Sequence, residues 1–136
     1  MFLTKECDYG IRIIRALADG EKRTVQSICE TEYIPQQYAY KILKKLERGG
    51  LVQSRRGPDG GYQLTKSPGN FSIYDVITAV EEKLFISECL MGEQVCTRNT
   101  HEEPCAVHRE LIRIQDVMVA EMKRKSMEEV LGSTIQ

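Results

Sequence analysis

The stretch "YIPQQYAYKILKKLERGGLVQSRRGPDGGYQLTK", residues 33–66, leaves few folds open, because its apolar period changes at a glycine pair. Up to Arg48 the pattern is helical: Tyr38, Ile42, Leu43 and Leu46 form one apolar stripe. Pro35 suits the first helical position, where its fixed φ is already helical and its missing N–H has no partner to lose. Gly49 and Gly50 stop the helix. Immediately afterwards "LVQSRR" and "GYQLTK" read as two short strands joined by "GPDGG", in which glycine supplies positive φ and proline sets the turn.

The residues before this stretch repeat the helical theme. Ile11, Ile14, Leu17 and Ala18 recur at helical spacing over residues 5–19, and Gly20 ends the pattern. Thr24 can cap a second, short helix from Val25 to about Glu32, with Val25, Ile28 and Cys29 on its buried side. A short helix, a tight connection and a second, more basic helix make a helix-turn-helix. A hairpin directly behind it is a wing. The expected fold is therefore mainly α with a small β-hairpin, a winged helix-turn-helix.

Charge supports a nucleic-acid role for this part of the chain. The net charge of −1 divides unevenly: residues 41–66 hold Lys41, Lys44, Lys45, Arg48, Arg55, Arg56 and Lys66 against Glu47 and Asp59, a local +5 that leaves −6 for the remainder. Phosphate neutralisation supplies most non-specific DNA affinity, so a basic element on an acidic body fits double-stranded DNA as a partner, with a protein-interaction module that does not bind DNA as the alternative. Arg55 and Arg56 in the wing would meet phosphates or the minor groove, with Gly60 and Gly61 permitting close backbone approach. Lys41 and Lys44 on the more basic helix that follows Pro35 add phosphate contacts. Gln36 and Gln37 can pair with adenine edges, and Tyr38 and Tyr40 can reach phosphate or a thymine methyl.

Two more long elements are expected downstream. Ser72 with Asp75 is a capping-box signature, opening a helix to about Lys83 whose buried face holds Ile73, Val76, Ile77 and Val80. Further on, Val107, Leu111, Ile114 and Met118 alternate at steps of four and three, the heptad spacing of a helix packing on another helix, and Ile112, Val117, Val119 and Met122 widen the face. The winged domain has its own core, so a second copy of the chain is the expected cover. A short last helix follows Ser126. The expected organisation is a DNA-binding domain over residues 1–83, a cysteine-rich loop over 84–104, and a dimerisation helix with its tail over 105–136.

Between those helices lies "ECLMGEQVCTRNTHEEPCAVH", with three of the five cysteines and both histidines. No apolar run is long enough to span a bilayer, and the first residues do not resemble a secretory signal, so a cytoplasmic protein is expected. In a reducing cytosol five thiols suit metal binding or redox sensing better than a disulfide framework. Cys7 and Cys29 fall inside helical patterns and are expected as small core residues. The remaining spacing, Cys89-x6-Cys96-x8-Cys105-x2-His108, suits either an iron-sulfur cluster or a closed zinc site of three cysteines and a histidine. It suits a metal-free thiol switch as well. Cys105 opens the long helix, whose positive end favours a thiolate. His101 reads as an exposed loop residue. No phosphate-binding glycine loop or nucleophile–base set suggests an enzyme.

"LTKECDYGIRIIRALA", the recognition-helix and wing stretch with its "RGPDGGY", and "DVITAVEE" together resemble the IscR/NsrR-type family of bacterial winged-helix transcription regulators. The resemblance extends over nearly the whole chain. It implies a homodimer on a pseudo-palindromic operator, acting mostly as a repressor, with an iron-sulfur cluster ([2Fe-2S] or [4Fe-4S]) that tunes DNA affinity. Matching positions puts base reading on Pro35, Gln37, Tyr38 and Tyr40, with Arg56 in the wing. Cys89, Cys96 and Cys105 match the cluster cysteines, although family members often space them more closely. The fourth ligand falls on His108, or on Asp8 of the partner subunit, with Cys7 a weaker choice.

Overall fold

The structure is a computed structural model that describes residues 3–92 and 96–132. Helices α1 (Lys5–Ala16), α2 (Val25–Glu32) and α3 (Gln36–Arg48) come first, followed by strands β1 (Val52–Arg55) and β2 (Gly61–Leu64). Helices α4 (Ile73–Val80), α5 (Ala106–Arg124) and α6 (Met127–Leu131) complete the order, with single 3-10 turns at Pro68–Asn70 and Glu88–Leu90. No described helix is long and apolar enough to cross a membrane.

The core forms where α1, α3 and α4 converge. Ile13, Ile14, Leu17, Ile28, Ile42, Leu43, Leu46, Val76 and Ile77 are fully enclosed there, and Met127 of α6 joins the same core. Close backbone approach tightens this junction. A side chain at Gly10 would meet Val80 at 2.8 Å, and one at Gly49 would meet Ala79 at 2.7 Å, so α4 rests directly on α1 and on the end of α3.

Local capping chemistry sets several boundaries. The Thr4 hydroxyl accepts from Cys7 N–H at 3.2 Å, and the Thr24 hydroxyl accepts from Ser27 N–H at 3.1 Å. At α4, Asp75 Oδ2 accepts the Ser72 N–H at 2.7 Å. Ser126 caps α6, which seats Met127 in the core and donates the Met127 N–H to Phe71 O at 2.8 Å.

Several boundaries differ from expectation. Helix α1 stops at Ala16, not Asp19: Leu17 is its C-cap, buried with its N–H still donating to Ile13 O at 3.1 Å, and the chain leaves through a turn to Gly20 at φ 82. Pro35 is the N-cap of α3 and not its first helical residue, at ψ 133, and its carbonyl accepts from Ala39 N–H at 3.1 Å. Tyr38 lies at the edge of the buried stripe and Ala39 takes the core position instead. Helix α4 ends at Val80, where Glu81 turns extended, not at Lys83.

The wing is a two-stranded antiparallel hairpin with Val52 opposite Leu64 and Arg55 opposite Gly61. Its tip is a tight turn in which Gly60 N–H donates to Gly57 O at 2.9 Å, with Gly57 at φ 119. A bridge from Arg23 joins the base of the hairpin: Arg23 N–H donates to Tyr62 O at 2.9 Å, and Tyr62 N–H donates to Arg23 O at 2.8 Å. This contact requires Gly61, since a Cβ there would collide with the Arg23 carbonyl. The wing is thus welded to the start of α2.

Candidate nucleic-acid interface and thiol segment

The turn between α2 and α3 decides where the recognition helix points. Tyr33 ends α2 in the left-handed region, φ 56 and ψ 50, and its N–H donates to Cys29 O. It is the one non-glycine residue at positive φ among those described. Two arginines of α1 hold the turn from behind. Arg12 Nη1 donates to Glu32 O at 3.2 Å, and Arg15 forms a bidentate pair with the otherwise buried Glu32 carboxylate. That hydrogen bond pushes the Arg15 guanidinium pKa further up.

With α3 aimed this way, Pro35, Gln36, Gln37, Tyr38, Tyr40, Lys41 and Lys44 are all exposed while Ala39, Ile42, Leu43 and Leu46 face inward. Tyr38 keeps one ring face on Tyr9, 5.7 Å between centroids. Arg55 and Arg56 are exposed on the wing. Gln36, Tyr40, Arg55, Gly60 and Tyr62 line a shallow groove of about 380 Å³ between the start of α3, the wing and the start of α2. The two elements that would read DNA therefore border one surface.

The basic stretch is not uniformly free. Among the described residues Lys44, Arg48, Arg55, Arg56 and Lys66 form no ion pair, whereas Lys41 Nζ lies 2.7 Å from Glu6 Oε1 and Lys45 Nζ 2.8 Å from Glu6 Oε2. Both lysines hydrogen-bond the Glu6 carboxylate and hold its pKa below the usual carboxylate range, and the same bond raises the Lys41 ammonium. Glu6 is a site residue that sequence reading missed. Nothing in the chain's local pattern links it to lysines 35 and 39 residues away. The wing glycines also answer to the fold itself: Gly60 is crowded by Arg55 O at 2.8 Å, and Gly61 by Arg23.

The thiol segment runs from the end of α4 to the start of α5. Cys89 sits half-buried in the 3-10 turn with its Sγ 3.3 Å from Ser87 Oγ, Cys96 is exposed, and Cys105 is the half-buried N-cap of α5, its N–H donating to Asn99 Oδ1 at 2.9 Å. The segment is tied to α5 by the Ile86 N–H, which donates to Gln115 Oε1 at 3.0 Å. His108, on the first turns of α5, has a buried Nδ1 with no hydrogen-bond partner, an unpaired group of the kind a metal or a proton donor satisfies. Among the described residues no three His, Cys, Asp or Glu side chains are gathered closely enough to hold a metal ion. The donor types fit a cluster; their arrangement in this structure does not yet enclose one.

The other thiols and candidates lie apart. Cys7 is buried in the α1 core, as expected, and Cys29 is half-buried, with its pKa raised by that burial. Asp8 is exposed and pairs with Arg12 at 3.0 Å. His101 is exposed. Helix α5 has no fully buried residue: Leu111, Met118, Val119 and Met122 are half-buried, whereas Val107, Ile112, Ile114 and Val117 remain exposed and uncovered by the chain's own core.

Comparison with known proteins assigns the fold a family. The Rrf2 family of iron-dependent transcriptional regulators matches residues 3–133. An HTH-type transcriptional regulator of Haemophilus influenzae is 34% identical over 109 residues, 75% of this chain and 72% of that protein. The regulator NsrR of Bacillus subtilis is 33% identical over 92 residues, a match that covers 65% of this chain and 63% of NsrR. Among solved structures, CymR, the global cysteine regulator of Bacillus subtilis, superposes with a TM-score of 0.77 at 24% identity, covering 98% of both chains. IscR of T. potens gives 0.77 at 18% identity, over 98% of this chain and 88% of the other. At these identities the two structures establish the shared fold. With a winged helix-turn-helix exposed in this way and a family match from end to end of the described residues, this chain belongs to the Rrf2 family of transcriptional regulators and is not an enzyme.

Proposed function

We propose that the chain is a homodimeric, cytoplasmic repressor that binds a pseudo-palindromic operator, with an affinity set by the state of Cys89, Cys96 and Cys105. The observation that supports the DNA-binding face is the groove that Gln36 and Tyr40 of α3 share with Arg55 of the wing, with Gln37, Tyr38, Lys41, Lys44 and Arg56 also exposed. Phosphate contacts from the lysines and arginines position the protein, and Gln36, Gln37, Tyr38 and Tyr40 meet the base edges. The uncovered apolar face of α5 supports pairing of two copies. In a dimer two α3 helices enter successive major grooves about one helical turn apart, roughly 34 Å.

The proposed division is DNA-binding over residues 1–83, sensing over 84–104 and dimerisation over 105–136, with α6 returning Met127 and Leu131 to the winged domain's core. An iron-sulfur cluster, [2Fe-2S] or [4Fe-4S], would be held by Cys89, Cys96 and Cys105, with His108 or Asp8 of the partner subunit as fourth ligand. When bound, such a cluster supplies a centre that oxygen or nitric oxide destroys. The protein's part is mechanical. The segment is fastened to α5 through Ile86 and Gln115, and Glu81 at its other end accepts the Thr4 hydroxyl of α1 at 2.7 Å. Reordering it changes how α1 and α5 are held, and hence the spacing of the two recognition helices.

A second reading, a metal-free thiol switch, is favoured by the ungathered donors. A structural zinc is the remaining metal alternative. Anaerobic purification with a visible absorption spectrum and iron, sulfide and zinc analysis separates all three. Cluster absorbance with stoichiometric iron and sulfide supports the first reading; its absence in protein that responds to thiol oxidation supports the second. Arg56→Ala and Tyr38→Ala should both weaken operator binding while the dimer persists. Unchanged affinity in both variants would remove the assigned DNA face.

A further inference from the structure

We infer that Glu6 is a specificity-determining residue, a built-in competitor for phosphate that masks Lys41 and Lys45 on the recognition helix. The inference rests on the DNA-binding reading and adds to it the residue that restrains non-specific binding. One carboxylate takes one lysine on each oxygen, at 2.7 and 2.8 Å, and Lys41 and Lys45 are one helical turn apart on the same side of α3.

The two pairs differ in exposure: Lys45 and Glu6 are half-buried, with 28% and 22% of their side chains exposed, whereas the Lys41 end faces solvent. Lys41 keeps 57% of its side chain exposed, so the interaction is largely solvated and contributes weakly to stability. Its position gives it another consequence. Lys41 lies one turn beyond Gln37 and Tyr38, on the exposed side of α3. A phosphate approaching there must displace Glu6 before it gains the lysine. On any duplex in arbitrary register that exchange replaces one ion pair with another and yields little. On an operator, base contacts from the same helix hold the phosphate in place and the exchange is carried by them. Glu6 therefore lowers non-specific affinity more than specific affinity, and specificity is the ratio of the two. Lys44, Arg55 and Arg56 have no such partner among the described residues, which leaves the remaining charge free for encounter with DNA.

The test compares Glu6→Gln with the parent by fluorescence anisotropy on two probes, a short random-sequence duplex and a duplex pool enriched by rounds of selection on the parent protein. Freed lysines should steepen the dependence of log K on log salt for the random duplex by about 0.9 for each additional phosphate neutralised. Its affinity should rise about three- to tenfold, given the modest strength of one largely exposed and one half-buried ion pair. Affinity for the selected pool should rise less, so the ratio falls. Glu6→Asp should restore parental behaviour, and Glu121→Gln, which removes the same charge from an exposed pair on α5, should leave the slope unchanged. Adding Lys41→Ala to Glu6→Gln should cancel most of the gain. Circular dichroism confirms that each variant is folded. An unchanged slope and affinity in Glu6→Gln, or an equal rise on both probes, overturns the inference while leaving the DNA-binding reading intact. A parent protein that binds neither probe overturns both.

Discussion

Tyr33→Gly should stabilise this protein, although it deletes the largest side chain in the helix-turn-helix connection. Tyr33 holds φ 56 and ψ 50, where an L-residue's Cβ crowds the following carbonyl, and its side chain is 85% exposed, so truncation forfeits almost no buried surface. Relief of the left-handed conformation contributes about 1–2 kcal/mol. Glycine's extra freedom in the unfolded chain returns about 0.5–1 kcal/mol of that. The expected net gain is about 0.5–1 kcal/mol. Urea denaturation should therefore move to a higher midpoint at constant m-value, and Tyr33→Ala, which retains the Cβ, should show no comparable gain. Because glycine preserves the bend that aims α3, operator affinity should stay at the parental value. A destabilised glycine variant, or an alanine variant that gains equally, would refute the reasoning that backbone strain dominates at this turn.

Leu46→Ala, at a position fully enclosed between α3 and its neighbours, should cost about 2–5 kcal/mol in the same assay. Gly61→Ala should loosen the wing, because the added Cβ collides with the Arg23 carbonyl; faster hydrogen exchange at the Arg23 and Tyr62 amides is the expected readout. The Glu6 carboxylate titrates below its ordinary range through its bonds to Lys41 and Lys45, so its contribution to stability is complete above the unfolded carboxylate's pKa and is lost as pH falls through the lower folded value. Glu6→Gln should accordingly lower stability above the unfolded carboxylate's pKa and leave it unchanged at lower pH, which flattens the acid limb of the stability–pH curve and which thermal denaturation across pH will register.

Much of the fold was legible because its signals are local. The helical stripe of Ile42, Leu43 and Leu46, the Gly49-Gly50 stop and the "GPDGG" turn each act within a few residues, and all appear where the pattern puts them. Errors of a few residues arose where tertiary packing overrode propensity. Leu17 is the buried C-cap of α1, which ends the helix before Asp19, and the enclosed position next to Tyr38 is taken by Ala39 while Tyr38 stays at the exposed edge. The exposed identities of Gln36, Gln37, Tyr40 and Lys44 followed from the same periodicity, being simply the complement of the buried stripe.

By itself, then, the sequence determined the order of elements, most of the buried stripe of the core helices and the exposed face of α3, since these depend on periodicity and capping within one or two turns. Only the tertiary structure decided which charges meet. Glu6 finds Lys41 and Lys45, and Arg15 finds the buried Glu32, because α1 packs across α2 and α3 at one particular angle. The same holds for Gly61, whose necessity comes from a strand-like contact with Arg23, 38 residues earlier in the chain. Such pairings carry little local signal, because side chains brought together by packing need share nothing in sequence beyond opposite charge or a lack of bulk.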